Sequence, residues 1–220
     1  SSIDGRSSEL SRILIKFDAT GSSGISADRT AGKLPASGSV SFYLKLFNAK
    51  HSYTIPEDYK MMVSAISGSD WIEGFGLDME TYKDSGVSNW ISASNGNAWI
   101  NTGGDYWATV SASFTASFKE GPENLELDVT QIVEQWISDG LENYGLGIMM
   151  IPAQETDSRS YYTKKFFARG TEYFFKKPVI EARWNSAKKD DRENFYYSSS
   201  LAPSDDNMNT LYLYNEIRGR

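Results

Sequence analysis

The chain contains no cysteine and only one histidine, His51. The first absence excludes disulfides, thiol nucleophiles and cysteine-ligated zinc in any compartment. The second excludes histidine-rich metal centres and leaves one residue around which a serine–histidine–acid arrangement could form. His51 sits in Ala49-Lys50-His51-Ser52-Tyr53, at the end of a predicted strand, where an exposed loop histidine is the plainer reading. Long apolar runs are also missing. The longest, such as Leu146 to Ile151, fall far short of the roughly 20 residues that span a bilayer, so no membrane insertion is expected. No basic-then-apolar leader opens the chain, but the first residue is Ser1 rather than methionine, so this says little about export. Positive charge is in deficit. A net charge of −7, with lysines paired only at Lys164–Lys165, Lys176–Lys177 and Lys188–Lys189, disfavours a phosphate backbone as partner, and no nucleic acid is expected.

What is present is ordinary globular material: 220 residues, 40% hydrophobic and 23% charged. That is enough for one large all-β domain, or one domain and part of another. The dominant local signal is alternation with period two, the mark of half-buried strands. In Arg12–Asp18, Ile13, Ile15 and Phe17 face one way, and Arg12, Lys16 and Asp18 the other. In Ser39–Phe47, Val40, Phe42, Leu44 and Leu46 form one face. In Ala108–Phe118, every second residue from Ala108 is apolar and those between are serine or threonine. A helix would scatter these side chains around its circumference, whereas a strand collects them on one side. Further strands are predicted at Lys60–Ile66, Leu125–Leu127, Leu146–Ile151, Lys165–Arg169 and Val179–Trp184. Leu146–Ile151 is apolar on both faces, as a central strand is. Gly/Ser/Asn turns, among them Gly21–Gly24, Asn95–Asn97 and Thr102–Asp105, separate the pieces. The expected fold is all-β: a jelly-roll-like antiparallel β-sandwich.

One segment breaks the pattern. In Asp128–Ser138 the apolar residues Val129, Ile132, Val133, Trp136 and Ile137 recur at helical spacing. Asp128 is placed to accept from first-turn N–H groups, with Gln131 where a capping-box partner would stand. The reading is a single short helix capping one end of the sandwich, with Asp128 and Trp136 as its anchors. After Trp184 the composition changes to a polar, mixed-charge stretch and then two apolar clusters. Phe195, Tyr196 and Tyr197 form the first, and Leu211, Tyr212, Leu213 and Tyr214 the second. Residues 1–184 are therefore taken as the sandwich. Residues 185–220 are taken as linker and C-terminal extension, too short for an independent domain without disulfides or metal. The two clusters are candidate assembly residues, by strand addition to another chain.

Three kinds of chemistry have candidates. Trp90, Trp99, Tyr106 and Trp107 crowd into one Gly/Asn/Ser-rich region, as a sugar platform would, although half-buried aromatics are also what sandwich strands favour. A structural calcium ion would need several oxygen ligands. Asp70, Glu73 and Asp78, or Asp205, Asp206 and Asn207, could supply some, and neither set follows an EF-hand loop. A glycosidase would need two carboxyl groups about 5–10 Å apart, for which Asp70, Glu73, Asp78 and Glu80 qualify by composition only. No cofactor is expected beyond such a calcium ion.

The order of motifs carries a resemblance. The strand Ser11–Asp18 (SRILIKFD) is followed by Asp70-Trp71-Ile72-Glu73 and the helix Asp128-Val129-Thr130-Gln131-Ile132-Val133-Glu134-Gln135-Trp136. Then come Asn143-Tyr144-Gly145 and the closing Lys177-Pro178-Val179-Ile180-Glu181-Ala182-Arg183-Trp184. Over residues 11–184 this resembles the DNRLRE-type, or disaggregatase-related, β-sandwich modules. Their pattern runs R-x-L-x-F-D, D-W-x-E, D-V-T-x-x-V-x-x-W, N-Y-G and R-P-x-L-E-V in that order. Lys177 departs from the usual arginine, and Gly74–Lys119 is long for the family. The tail is similar to linker-plus-next-segment sequence in virion structural proteins of marine bacteriophages. The resemblance implies a non-catalytic appendage of a large surface, secreted or virion protein, with some relatives binding polysaccharide. The expectation is thus a non-enzymatic structural or assembly module on a virion or extracellular surface. Its partners would be other chains of the same assembly, as a homo-oligomer. A carbohydrate-binding module is the alternative.

Overall fold

The computed structural model describes residues 10–50, 55–74, 85–157 and 162–187, and in the tail 190, 192, 201, 203, 209 and 211–213. The chain divides into two units, Ser1–Trp184 and Asn185–Arg220. His51, Asp78, Glu80, Phe195, Tyr196, Tyr197, Tyr214 and the Asp205–Asn207 set lie outside the described residues. In the second unit, the Asp190 carboxylate accepts from both Arg192 Nε and the backbone N–H of Tyr212, tying two distant points of that segment together.

The first unit is an all-β sandwich. Its described strands are β1 (Ile13–Ile15), β2 (Ser41–Leu46), β3 (Tyr59–Ala65), β4 (Ser92–Ser94), β5 (Asn97–Ala98), β6 (Ser113–Phe118), β7 (Leu125–Asp128), β8 (Leu146–Met150) and β9 (Val179–Arg183). One sheet has the order β1-β8-β3-β6, a second β7-β2-β9, and β4-β5 form a small hairpin. Every pairing is antiparallel. Apart from the excursion between β3 and β6, the chain changes sheet at each step. This is the interleaving that gives jelly rolls their two interlocked Greek keys.

The alternation read from the sequence becomes rows of side chains across the sheets. Ile13, Ile148, Val63 and Phe114 are cross-strand neighbours and form one row over all four strands. Leu127, Leu44 and Ile180 form the matching row on the other sheet. Both rows belong to a single core, where each fully buried aliphatic side chain contributes about 1.5–3 kcal/mol. Tyr59 stacks on Phe118 with ring centroids 5.1 Å apart. The apolar run in β8 is accounted for by its place in the sheet. It lies between β1 and β3, with Leu146–Met149 all buried.

Helix α2 (Thr130–Ile137) closes this core with Ile132, Val133 and Trp136, all buried. The Asp128 carboxylate accepts from Thr130 N–H at 2.9 Å, but the capping box does not form. The N-cap position is Val129, and Thr130 Oγ1 instead accepts the Phe42 N–H while Val129 N–H donates to Phe42 O. The helix start is thus stitched to β2 rather than capped by its own first turn. The Trp136 indole N–H is buried without a partner, a cost of about 1–3 kcal/mol that its packing must exceed.

Three sequence expectations need correction. The strand expected over Ala108–Phe118 begins only at Ser113, and Val110 is 90% exposed. Ala65 explains this: its N–H donates to Ala112 O, and its C=O accepts from Trp107 N–H. Residues 108–111 are looped out between those two bonds and have no ladder partner. The Lys165–Arg169 strand reduces to one bridge between Phe166 and Asn48, because only the chain just beyond β2 faces it. The helix is also not alone. Six-residue α1 (Ile25–Thr30) follows the Gly21–Gly24 turn, and α3 (Pro152–Glu155) starts on a proline, whose fixed φ suits a first helical position.

Candidate functional site

On the outer face of the four-stranded sheet, one row is small at three of its four positions. Leu14, Gly147, Ser64 and Ser113 are neighbours across it, and the Ser64 and Ser113 hydroxyls share a hydrogen bond of 2.7 Å. Onto this floor folds the excursion between β3 and β6. A Cβ at Gly147 would stand 1.9 Å from the Tyr106 ring, so the glycine is the space that ring occupies. Ile66, Ala93 and Trp99 are buried around it, with Leu14, Trp71, Tyr106 and Tyr144 packed against them, forming a second core separate from the first.

Polar groups hold the aromatic side chains in place. The Trp71 indole donates to Tyr144 O at 2.8 Å, and that of Trp99 to Asn89 O at 2.9 Å. Tyr106 Oη donates to Gly103 O. The 4%-exposed Asp105 carboxylate accepts from Ile100 N, Asn101 N and Asn101 Nδ2 and shapes the turn. Gly145, at φ +91°, passes so close to β1 that a Cβ would lie 2.4 Å from Ile15 O. Asn143 Nδ2 bonds Phe17 O across the same junction.

At the rim stands Arg12. Its guanidinium donates to both carboxylate oxygens of Glu155 at 2.6 and 3.1 Å and to Gly103 O at 3.1 Å. It also lies over the rings of Trp90 (5.0 Å) and Tyr106 (5.6 Å). The hydrogen bond to Glu155 pushes the Arg12 pKa up against the pull of burial. Burial raises that of Tyr106, so its hydroxyl stays protonated. These groups border an open cleft of about 390 Å³, whose walls include Arg12, Trp71, Glu73, Trp90, Trp99 and Tyr106.

The cleft therefore gathers three of the four aromatic candidates. Trp90 is 37% exposed, with Arg12 over its ring; Trp99 is only 7% exposed and serves as packing; Tyr106 occupies the space over Gly147. Trp107 does not line the cleft, though it is 40% exposed. It follows Tyr106 in an extended segment, so its side chain leaves on the opposite side. Of the calcium candidates, Asp70 is bonded to Lys16 and to the Trp71 N–H, and Glu73 to Arg169. Among the described residues, no three histidine, aspartate or glutamate side chains converge as a metal site. In the tail, Leu211, Tyr212 and Leu213 are 48%, 37% and 83% exposed.

Glu155 and Lys164 were not among the site candidates read from the sequence, and Arg12 and Trp71 entered there only as parts of motifs. Lys164 is the nearest thing to a bound cation. Its ammonium donates to Gly121 O and Glu123 O at 2.6 Å and Asn48 Oδ1 at 2.9 Å, and faces the rings of Phe118 and Phe166. Burial pulls its pKa down to about 8, still above neutrality. It borders a second cavity, about 550 Å³, walled by Ile13, Met61, Ile148, Met150 and Tyr162. Elsewhere Tyr173, Phe174 and Phe175 are exposed around Lys176, whose ammonium lies 4.7 Å from the Phe167 ring. No family model, curated protein or solved structure matches the chain.

Proposed function

We propose that the chain is a non-enzymatic structural or assembly module of a virion or extracellular surface, acting with other copies of itself and other chains. The observation that carries this reading is how the polar side chains of the cleft are used. Arg12 donates to the Glu155 carboxylate and to Gly103 O, Tyr106, Trp71 and Trp99 donate to backbone carbonyls, and Asp105 in the adjoining turn accepts from Ile100 and Asn101. A catalytic group needs a free atom within reach of the reacting centre. The groups named here are engaged in holding the fold. The segments that carry the resemblance to DNRLRE-type modules meet in the fold: Trp71 bonds Tyr144, and Asn143 bonds Phe17. Deleting residues 185–220 is expected to impair oligomerisation or particle incorporation, measured by sedimentation and by co-purification with the assembly. Unchanged assembly would overturn the reading.

A second reading, carbohydrate binding, is favoured by Trp90, half-exposed in the cleft beside Arg12, Ser88 and Asn89. A glycan screen tests it. Trp90→Ala should abolish saturable binding while the protein stays folded, whereas Trp99→Ala would mainly report lost packing. Binding unaffected by Trp90→Ala rules this site out.

A further inference from the structure

The three-stranded sheet ends on β9, and among the described residues β2 is the only strand paired with it. Open edges of this kind invite another strand unless something blunts them. On β9, Ile180 and Ala182 pack against the core but are only partly buried, and Trp184, next in their row, is 40% exposed. The other face carries Val179, Glu181 and Arg183. Arg183 lies over Tyr43 at 4.1 Å and pairs with Glu126, and Lys45 pairs with Glu181. That cluster of two cations and two anions is neutral, so placing an identical cluster beside it adds no net charge.

We propose that the free edge of β9 pairs antiparallel with β9 of a second copy, about a two-fold axis at Ala182. The proposal rests on the assembly reading above and adds to it a pairwise contact outside residues 185–220. A two-fold edge pairing keeps both inner faces on one side only if it is centred on a residue, and charge selects which one. Centring on Glu181 or Arg183 sets that residue against itself. Centring on Ile180 sets Arg183 against Lys177. Like charges directly opposite are destabilising, and opposite charges are favourable. Centring on Ala182 sets Glu181 against Arg183 of the second copy twice over, and Ile180 against Trp184 twice over. The same register thus covers the half-buried inner row and matches the charges on the outer one. The exposed rings of Phe174 and Phe175 lie just before β9, where they add apolar area at each end of the paired strands.

The absence of native cysteine makes the test direct. In the full chain, Ala182→Cys puts two thiols opposite each other, with Cα atoms about 4.5–5.5 Å apart, within disulfide range. Mild oxidation should give a covalent dimer. Glu181→Cys places its thiols on the diagonal, about 7–8 Å apart, and should not cross-link. Independently, Arg183→Glu and Glu181→Arg should each weaken self-association by about tenfold or more. Mixing the two should restore it, because every facing pair is then of opposite sign. Sedimentation equilibrium reads the second experiment, and circular dichroism checks that each variant is folded. Cross-linking of Ala182→Cys no faster than of Glu181→Cys, or a mixture no more dimeric than its components, overturns the β9 contact. Neither readout involves residues 185–220. A chain that assembles through its tail but fails both tests loses this contact and keeps the assembly reading.

Discussion

The two faces of the four-stranded sheet are built by different rules. On the inner face, regular alternation sends Ile13, Val63, Phe114 and Ile148 into one core shared with the second sheet. On the outer face a row containing Gly147, Ser64 and Ser113 is roofed by an irregular segment, and its core is Ile66, Ala93 and Trp99 with Leu14, Trp71, Tyr106 and Tyr144 around them. The first face is held by apolar area, which is non-directional and tolerant of detail. The second is held by directional hydrogen bonds, donated by two indoles and one arginine and accepted by a buried aspartate.

The largest expected effect comes from breaking the inner face. Trp136→Ala removes the largest fully buried side chain and should cost about 3–5 kcal/mol, lowering the denaturation midpoint of the whole sandwich in one transition. The outer face should break separately. Gly147→Ala drives a methyl group into the Tyr106 ring and should cost about 3 kcal/mol. Its signature should be faster hydrogen exchange over residues 85–107, with the α2 helix still protected. Protection lost equally in both regions would mean that the two cores form one cooperative unit.

The smallest effect concerns pH. Burial raises the Tyr59 pKa from 10 to about 12, and its hydroxyl donates to Gly121 O. Because the folded value lies above the unfolded one, the stabilisation it represents is fully present below pH 10 and fades as pH rises towards 12. Tyr59→Phe should flatten that alkaline decline in melting temperature. A decline as steep in the variant would assign it to other groups, with Tyr106, also raised by burial, next in line.

The strands of the inner face were legible because period-two alternation directly states which side is buried. β2, β3, β8 and β9 were each placed to within two residues at either end. The same rule misled at Ala108–Ala112, where the pattern continues but the ladder does not, since hydrogen-bond partners are set by the neighbouring strand. The α2 helix was legible from its 3.6-residue spacing, while its stitching to Phe42 was not. Crowding of tryptophan marked the region of the cleft. It could not separate Trp90, which reaches solvent, from Trp99, which is packing, or from Trp107, which faces elsewhere. Arg12 looked like one more outward polar residue on a strand, and nothing local links it to Glu155, 143 positions away.

Sequence alone thus determined the all-β class, the central place of β8, the α2 helix and the lack of any thiol chemistry. Each of these follows from composition or from a period repeated over neighbouring residues. Only the tertiary structure decided that Gly147 makes room for Tyr106, that Lys164 serves as the cation of its loop and that β9 is left at an edge. Those outcomes depend on which distant segments share a boundary, and that is settled by packing and pairing across the whole chain rather than by any local pattern.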